Sequence, residues 1–464
     1  MIRRLRRAGI FAAVAALAAL APTLGDAAVV PFLAVASLAF FGIRDGEWFE
    51  TLALPGDREE ERLYGFVAFS VAAAGLALFA SLPRAPLPYQ AFAAAALAVG
   101  GGRLGRALVA RRSTDEFSLV AGYVGVGTLA ALVGQVAVLL QVEMLGADGG
   151  LSLGGSLPAP STDLVGVSSS LTTGLPDLVF FASVAALTAA LVRSLVFDRD
   201  AHITMILVAF AVWGFVALDP TVTVPLIVFG LGVTVALGYI SFALGTASVP
   251  GMLTGVLSAL LAVVLGGVGW FLTLMAFYAV GGLASKYRFD EKADRGVAQE
   301  NEGARGTGNV LANSAVALVA LLGYAATPHL SVPATPFAFA FAGATATAMA
   351  DTLSSEIGGL FDGPRLVTTL RRVEPGTDGA ITWQGELAGL AGAGLVGGLA
   401  AFGMPVGGPV VGGGVVVLAG VAGMTADSVL GASIEGDRVG NQVVNFLATL
   451  SGAAVAVVLG VALA

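Results

Sequence analysis

The chain has 464 residues, 57% of them hydrophobic and only 12% charged, with a formal net charge of −8 and a mean hydropathy of +0.89. Soluble domains carry about 25% charge, so this balance excludes a water-soluble globular class and describes a polytopic membrane protein. The lack of cysteine excludes disulfide and thiol chemistry, and two histidines, His202 and His329, exclude a histidine-rich metal site.

The amino terminus, Met1-Ile-Arg-Arg-Leu-Arg-Arg before an apolar run, imitates a secretory signal. No small-residue cleavage site follows and a second apolar run starts at once, so the segment reads as a retained first helix. Beyond it the sequence predicts an all-α, polytopic bundle in the cell membrane, with about fifteen spans of about 16–25 residues. They fall near 8–24, 27–43, 63–81, 88–105, 118–143, 177–195, 201–218 and 221–243. They continue near 250–267, 269–284, 309–326, 335–350, 385–403, 409–430 and 441–463. Pro22, the stretches 83–88, 328–333 and 404–409, Pro220 and Pro250 mark the turns between them. Abundant Gly and Ala imply close helix packing. The segment 146–176 is Gly/Ser/Pro-rich, has no Lys or Arg, and reads as a flexible loop.

With the amino terminus in the cytoplasm, every one of the 23 basic residues except Arg84 falls on the cytoplasmic side. That is a strong positive-inside pattern. It puts segments 285–313, 350–384 and 427–445 on the side where nucleotides and magnesium are found. Lysine occurs only at 286 and 292, and acidic, Arg-over-Lys composition is typical of proteins from salt-loving archaea. Charge of this kind speaks to solubility, not to a substrate, and no basic stripe suggests nucleic acid.

The segments that carry chemistry come late. Lys286 to Glu302 is a mixed charged loop, followed by Arg305-Gly-Thr-Gly-Asn309-Val-Leu-Ala-Asn313. Asn309 and Asn313, four apart, share a helix face where free N–H groups favour anions. Asn309 is equally a candidate N-cap. Ala350-Asp351-Thr-Leu-Ser-Ser355-Glu356-Ile-Gly358 ends a long stretch without other ionisable groups. A lone carboxylate at a helix centre in hydrocarbon costs about 2.5–3.5 kcal/mol, so such residues pair, bind an ion or line a polar cavity. Asp with hydroxyls suits a hard cation such as magnesium. The bland alternative is a solvated helix end with Glu356 in water.

Next comes Arg371-Arg372-Val-Glu374-Pro-Gly376-Thr377-Asp378-Gly379, a basic stretch running into a Gly-rich turn. It resembles an anion-binding loop, or else positive-inside arginines and a turn. It is no Walker sequence. Ala426-Asp427-Ser428 repeats Ala350-Asp351-Thr352, and Arg438 with Asn441 and Asn445 repeats Arg305 with Asn309 and Asn313. Glu435 and Asp437 lie between these last motifs. The pattern reads as a weak internal repeat in which each Asp helix faces an Asn helix.

Taken together, residues 228–464 resemble the domain-of-unknown-function 92 family, which includes transmembrane-protein-19 proteins and the plant phytyl-phosphate kinase. The matching residues are Gly303-Ala-Arg305 with Asn309 and Asn313, Ala350-Asp351-Thr352 with Ser355-Glu356 and Gly358, and Gly376-Thr377-Asp378-Gly379 with Gly385. Asp427-Ser428 with Gly431-Ala432, and Asn441 with Asn445, complete the set. Residues 1–227 form a separate membrane region outside the resemblance.

The resemblance implies a prenyl-phosphate kinase that moves a phosphoryl group from CTP or another nucleoside triphosphate to an isoprenoid monophosphate. It assigns Asp351, Asp427 and Glu356 to catalysis, with Asp351 and Asp427 holding Mg2+. Arg305, Arg371 and Arg372 would neutralise phosphates. Asn309, Asn313, Ser355, Gly376, Thr377, Asp378, Gly379, Ser428, Asn441 and Asn445 would line the substrate. The chain carries Arg371-Arg372-Val-Glu374-Pro-Gly376 where CTP-using dolichol kinases carry Lys-Thr-x-Glu-Gly, which leaves the nucleotide open. The alternative function is a transporter or lipid-handling protein; oligomeric state is not legible.

Overall fold

The computed structural model describes residues 2–145, 164–299, 303–436 and 439–463, the side chains of 164–173 excepted. Glu302, Asp437, Arg438 and most of the loop expected over 146–176 lie outside these residues. The chain divides into two compact units, Met1–Ile227 and Val228–Ala464.

The first unit contains α1 (Ile2–Ala16), α2 (Ala21–Leu24), α3 (Val29–Ser37), α4 (Gly46–Leu52) and α5 (Tyr64–Ala80). It continues with α6 (Tyr89–Val109), α7 (Glu116–Leu145), α8 (Leu164–Leu195) and α9 (Ala201–Leu218). The early helices return on themselves. Arg7 Nη1 donates to Ala53 O at 2.6 Å and Arg6 pairs with Glu47 at 2.9 Å, so both ends of the 2–42 stretch lie together. Pro22 and Gly25, with φ of +51°, sit at the bend. α8 begins at Leu164, inside the expected loop, and takes Pro176 into its interior. Neighbouring helices can re-satisfy the backbone group that such a proline frees.

The second unit contains α10 (Val224–Ala243, counted here from Val228), α11 (Val249–Leu261), α12 (Val268–Lys286), α13 (Phe289–Asp294) and α14 (Thr307–Ala326). After α15 (Thr335–Gly358) comes a two-stranded antiparallel ribbon, β1 (Arg365–Leu366) with β2 (Ala380–Ile381), pairing Arg365 with Ile381. The chain ends with α16 (Trp383–Gly403), α17 (Val411–Ile434) and α18 (Asn441–Leu463).

α15 is the axis of this unit. It touches α12, α14, α16, α17 and α18, and every residue from Phe341 to Ala350 is buried. Small residues permit the approach: a Cβ on Gly452 would fall 1.9 Å from Thr347 Oγ1, and one on Gly343 would fall 2.8 Å from Gly452 O. Overpacking such contacts costs about 1–3 kcal/mol.

Among the described residues, twelve helices are long and apolar enough to cross a membrane. The protein is therefore an all-α, polytopic integral membrane protein. The difference from about fifteen expected spans has three sources. The stretch Ile2–Gly42 counts once because its 41 residues are helical throughout, although they turn back at Pro22 and Gly25, and α5 is only 17 residues long. α15 is polar enough to fall outside the set, because it packs on protein along its length instead of on lipid. It also runs on through Asp351 to Gly358, eight residues beyond the expected end.

Candidate functional site

Four helices bring one end each to a common point in the second unit. The carboxyl-terminal portions of α15 and α17 supply Asp351 and Asp427. The amino-terminal turns of α14 and α18 supply Asn309, Asn313, Asn441 and Asn445. α14, α15, α17 and α18 pack on one another around these residues.

The Asp351 and Asp427 carboxyl groups lie close enough to act on each other. Two carboxylates this close require a shared proton or a cation between them. Asn445 links the aspartates to α14: with its amide turned so that both atoms find partners, Nδ2 donates to Asp427 Oδ1 at 3.3 Å and Oδ1 accepts from Asn313 Nδ2 at 3.2 Å. Asn313 also donates to Asn309 O at 3.0 Å. Asn309 Oδ1 is buried and has no partner among the described residues. Asn309 lies inside α14 rather than capping it, since the N-cap is Gly306, which has no side chain to offer. Two carboxylates from different helices are hard oxygen donors that fit magnesium or another hard cation, whose remaining positions water or phosphate would fill. Among the described residues no group of three or more His, Cys, Asp or Glu gathers to hold a metal.

Arg305 stands beside the aspartates. Its Nη2 donates to Thr352 Oγ1 at 3.2 Å and its guanidinium lies 5.3 Å from the centroid of the Phe277 ring. Glycines make room for it: a Cβ on Gly281 would meet Arg305 Nη2 at 2.9 Å, and one on Gly251 would meet Arg305 O at 2.1 Å. Its backbone is held in both directions, N–H to Thr246 O at 3.0 Å and O from Ser248 N at 3.1 Å. Burial lowers the Arg305 pKa, and the nearby Glu356 and Asp351 charges oppose that shift.

Glu356 is not at a solvated helix end. It is 3% exposed and pairs with Lys292, itself fully buried, at 2.5 Å. Lys292 Nζ also donates to Ala284 O and Ser285 O, both at 2.9 Å, which ties α13 to the last turn of α12. Glu356 Oε1 is buried and has no partner among the described residues. Lys292 was expected only as part of a charged loop. Its rarity was the available signal, since one of two lysines among many arginines is a conspicuous choice.

The loop between β1 and β2 lies against α17. Gly379, at φ +73°, is pressed so close that a Cβ would sit 2.4 Å from Ser428 O. Gly376 has φ +83°, and Thr377 Oγ1 donates to Glu374 O at 2.7 Å. Asp378 is exposed and near enough to Glu435 to act on it. Burial first, then the charges of Asp378 and Asp427, raise the Glu435 pKa. Arg371 and Arg372 are exposed, and Arg372 forms an isolated antiparallel bridge with Arg365. Ser428 donates to Met424 O at 3.4 Å and Ser355 to Thr352 O at 3.1 Å, so both hydroxyls serve their own helices. The structure thus gathers Asp351, Asp427, Asn313, Asn441, Asn445 and Arg305, and leaves Arg371, Arg372 and Ser355 at the exposed rim.

The model of the family described as integral membrane protein DUF92 matches residues 232–453. An uncharacterized membrane protein of Methanocaldococcus jannaschii is 35% identical over 205 residues, covering 42% of this chain and 77% of the relative. An uncharacterized membrane protein of Synechocystis is 33% identical over 201 residues, covering 41% and 74%. Protein VTE6, chloroplastic, of Arabidopsis thaliana is 31% identical over 205 residues, covering 42% of this chain and 59% of the relative. No solved structure matches the chain.

Proposed function

Starting from the fact that the chain belongs to the integral membrane protein DUF92 family, we propose that its second unit is a prenyl-phosphate kinase. The donor is CTP or another nucleoside triphosphate and the acceptor an isoprenoid monophosphate. One observation carries the reading: Asp351 and Asp427, from helices 76 positions apart in sequence, meet in a pocket of amides beside Arg305. The residue pattern resembles that of the plant phytyl-phosphate kinase, which supports the same reaction class.

Phosphoryl transfer depends on positioning and charge neutralisation more than on a covalent protein group. An acceptor phosphate oxygen attacks the terminal phosphorus, one P–O bond forms, the bond to the departing nucleotide breaks, and a prenyl diphosphate results. The acceptor is already ionised, so no general base is required. Asp351 and Asp427 would hold Mg2+, which when bound supplies charge neutralisation. Arg305 binds phosphate from the side of Thr352. Asn445, backed by Asn313, holds Asp427 in place, and Asn441 offers an amide to phosphate or water. Arg371 and Arg372 meet the nucleotide at the rim. On the positive-inside pattern the site faces the cytoplasm, where nucleotide is available.

The test is turnover by the purified chain with geranylgeranyl or phytyl monophosphate, magnesium and each nucleoside triphosphate in turn. Diphosphate formation, lost in Asp351→Asn, is the expected result. A folded protein that turns over no combination, yet accumulates a substrate in nucleotide-free proteoliposomes, would establish the transporter alternative instead.

A further inference from the structure

Residues of α10, α11, α12 and α14 line a mainly apolar cavity of about 200 Å³, and Arg305 is part of that lining. Leu237 and Ile240 of α10, Met252 of α11, and Met275 and Tyr278 of α12 form its walls. Gly255 is the reason for the space: a Cβ there would meet only the Tyr278 ring, at 3.8 Å. The outer wall is one helix thick. α10 touches α11 through Gly230 and Gly238, where an added Cβ would meet Leu260 at 3.2 Å and Val256 at 3.3 Å. Its opposite face, Val228, Val235 and Tyr239, is exposed to whatever surrounds the protein, which in a bilayer is lipid.

An apolar cavity lined in part by Arg305, which carries a buried guanidinium, suits an amphiphile with an anionic head. The same guanidinium reaches Thr352, the neighbour of Asp351. A head group held there lies beside the paired aspartates while its chain points away from them, between the helices.

We propose that this cavity receives the head-proximal isoprene units of the acceptor, its phosphate on Arg305 and the rest of its chain passing α10 into the bilayer. The assignment rests on the kinase reading for the identity of the amphiphile. Its size sets the depth of engagement. An apolar cavity of about 150 Å³ accommodates benzene, so this one holds on the order of one to two isoprene units. Chain length beyond that is then weakly discriminated, whereas the first units are read sterically.

The probe is a geranylgeranyl monophosphate bearing a diazirine on its second isoprene unit, photolysed with the full chain in detergent and mapped by mass spectrometry. Label on Met252, Met275 or Tyr278, competed by geranylgeranyl monophosphate but not by geranylgeraniol, is expected. Label on other helices, or label that both compounds compete equally, overturns the assignment. In Gly255→Phe the added ring fills the cavity, so labelling and turnover of the C20 acceptor should fall about tenfold or more while methyl phosphate, which has no isoprene unit to seat, reacts as before. Equal loss for both acceptors, or loss for neither, also overturns it. The two readings fail separately: specific label without turnover removes the kinase and keeps the cavity, and turnover with label elsewhere does the reverse.

Discussion

In the unit Met1–Ile227, charged groups stay at the edge or serve the backbone. Arg6 meets Glu47, and Arg193 meets Asp198 at 2.8 Å. Asp57 is fully buried, yet its two oxygens accept from Leu54 N at 2.8 Å and Gly65 N at 3.2 Å. In the unit Val228–Ala464 the same residue types turn inward and face each other. Asp351 meets Asp427, Lys292 meets Glu356, and Arg305 lies between them. A buried carboxylate that closes a loop needs no ligand, whereas two carboxylates in contact are incomplete without a proton or a cation. Burial alone therefore does not mark a site; an unmet electrostatic requirement does.

The most severe way to break this contrast is to remove the requirement. Asp351→Asn and Asp427→Asn should each lower turnover on the order of 10³-fold, the scale of losing a principal charge-stabilising group in phosphoryl transfer. Size-exclusion profiles and thermal midpoints should hold, because an amide replaces a carboxylate of the same shape. A variant with unchanged turnover would move the chemistry away from this pair.

Next is Lys292→Met, which leaves Glu356 charged and unpaired in the interior and should cost about 3–5 kcal/mol of stability. The double variant Lys292→Met/Glu356→Leu should recover most of that loss. Recovered stability together with recovered turnover identifies the pair as a strut that sets α13 against α15. Recovered stability without turnover assigns Glu356 to the reaction. On the other side of the comparison, Asp57→Ala orphans two backbone N–H groups at about 1–3 kcal/mol each. It should lower the melting temperature and leave KM and kcat of the remaining folded protein alone.

How far the sequence reveals this contrast depends on the range of the interaction. Composition and apolar runs were enough for an all-α membrane protein, because lipid leaves few ways to satisfy a backbone. The Asn pairs and the Ala-Asp repeats were legible as motifs because each is a local spacing on one helix. That Asn445 reaches Asp427 and Asn313 was not, since it depends on how three helices cross. The pairing of Glu356 with Lys292 was not legible either, because nothing local announces a partner 64 positions away. Asp57 went unnoticed for a similar reason: its partners are loop amides, which every residue carries. α15 was read short because hydropathy measures lipid exposure, and the end of this helix is surrounded by protein.

The finest test of the comparison is the sign of the pH response at one exposed edge of each unit. Asp115 lies just before α7 and accepts from Ser118 N at 2.8 Å, which holds its pKa below the usual carboxylate value. Its contribution to stability is present above about pH 4, where the unfolded carboxyl ionises, and is lost as pH falls through the lowered value. Glu435 is the opposite case, its pKa raised by burial and by Asp378 and Asp427. The folded chain then holds that proton more tightly than the unfolded one, so stability falls as pH rises from about 4.3 through the raised value. Melting temperature against pH should therefore separate the two variants. Asp115→Ala melts below the parent at neutral pH and converges with it in acid. Glu435→Gln melts above the parent at neutral pH, and its advantage shrinks in acid. The same sign for both would mean that the negative charge crowded at α17 does not reach Glu435, and that the second unit has dispersed its charge as fully as the first.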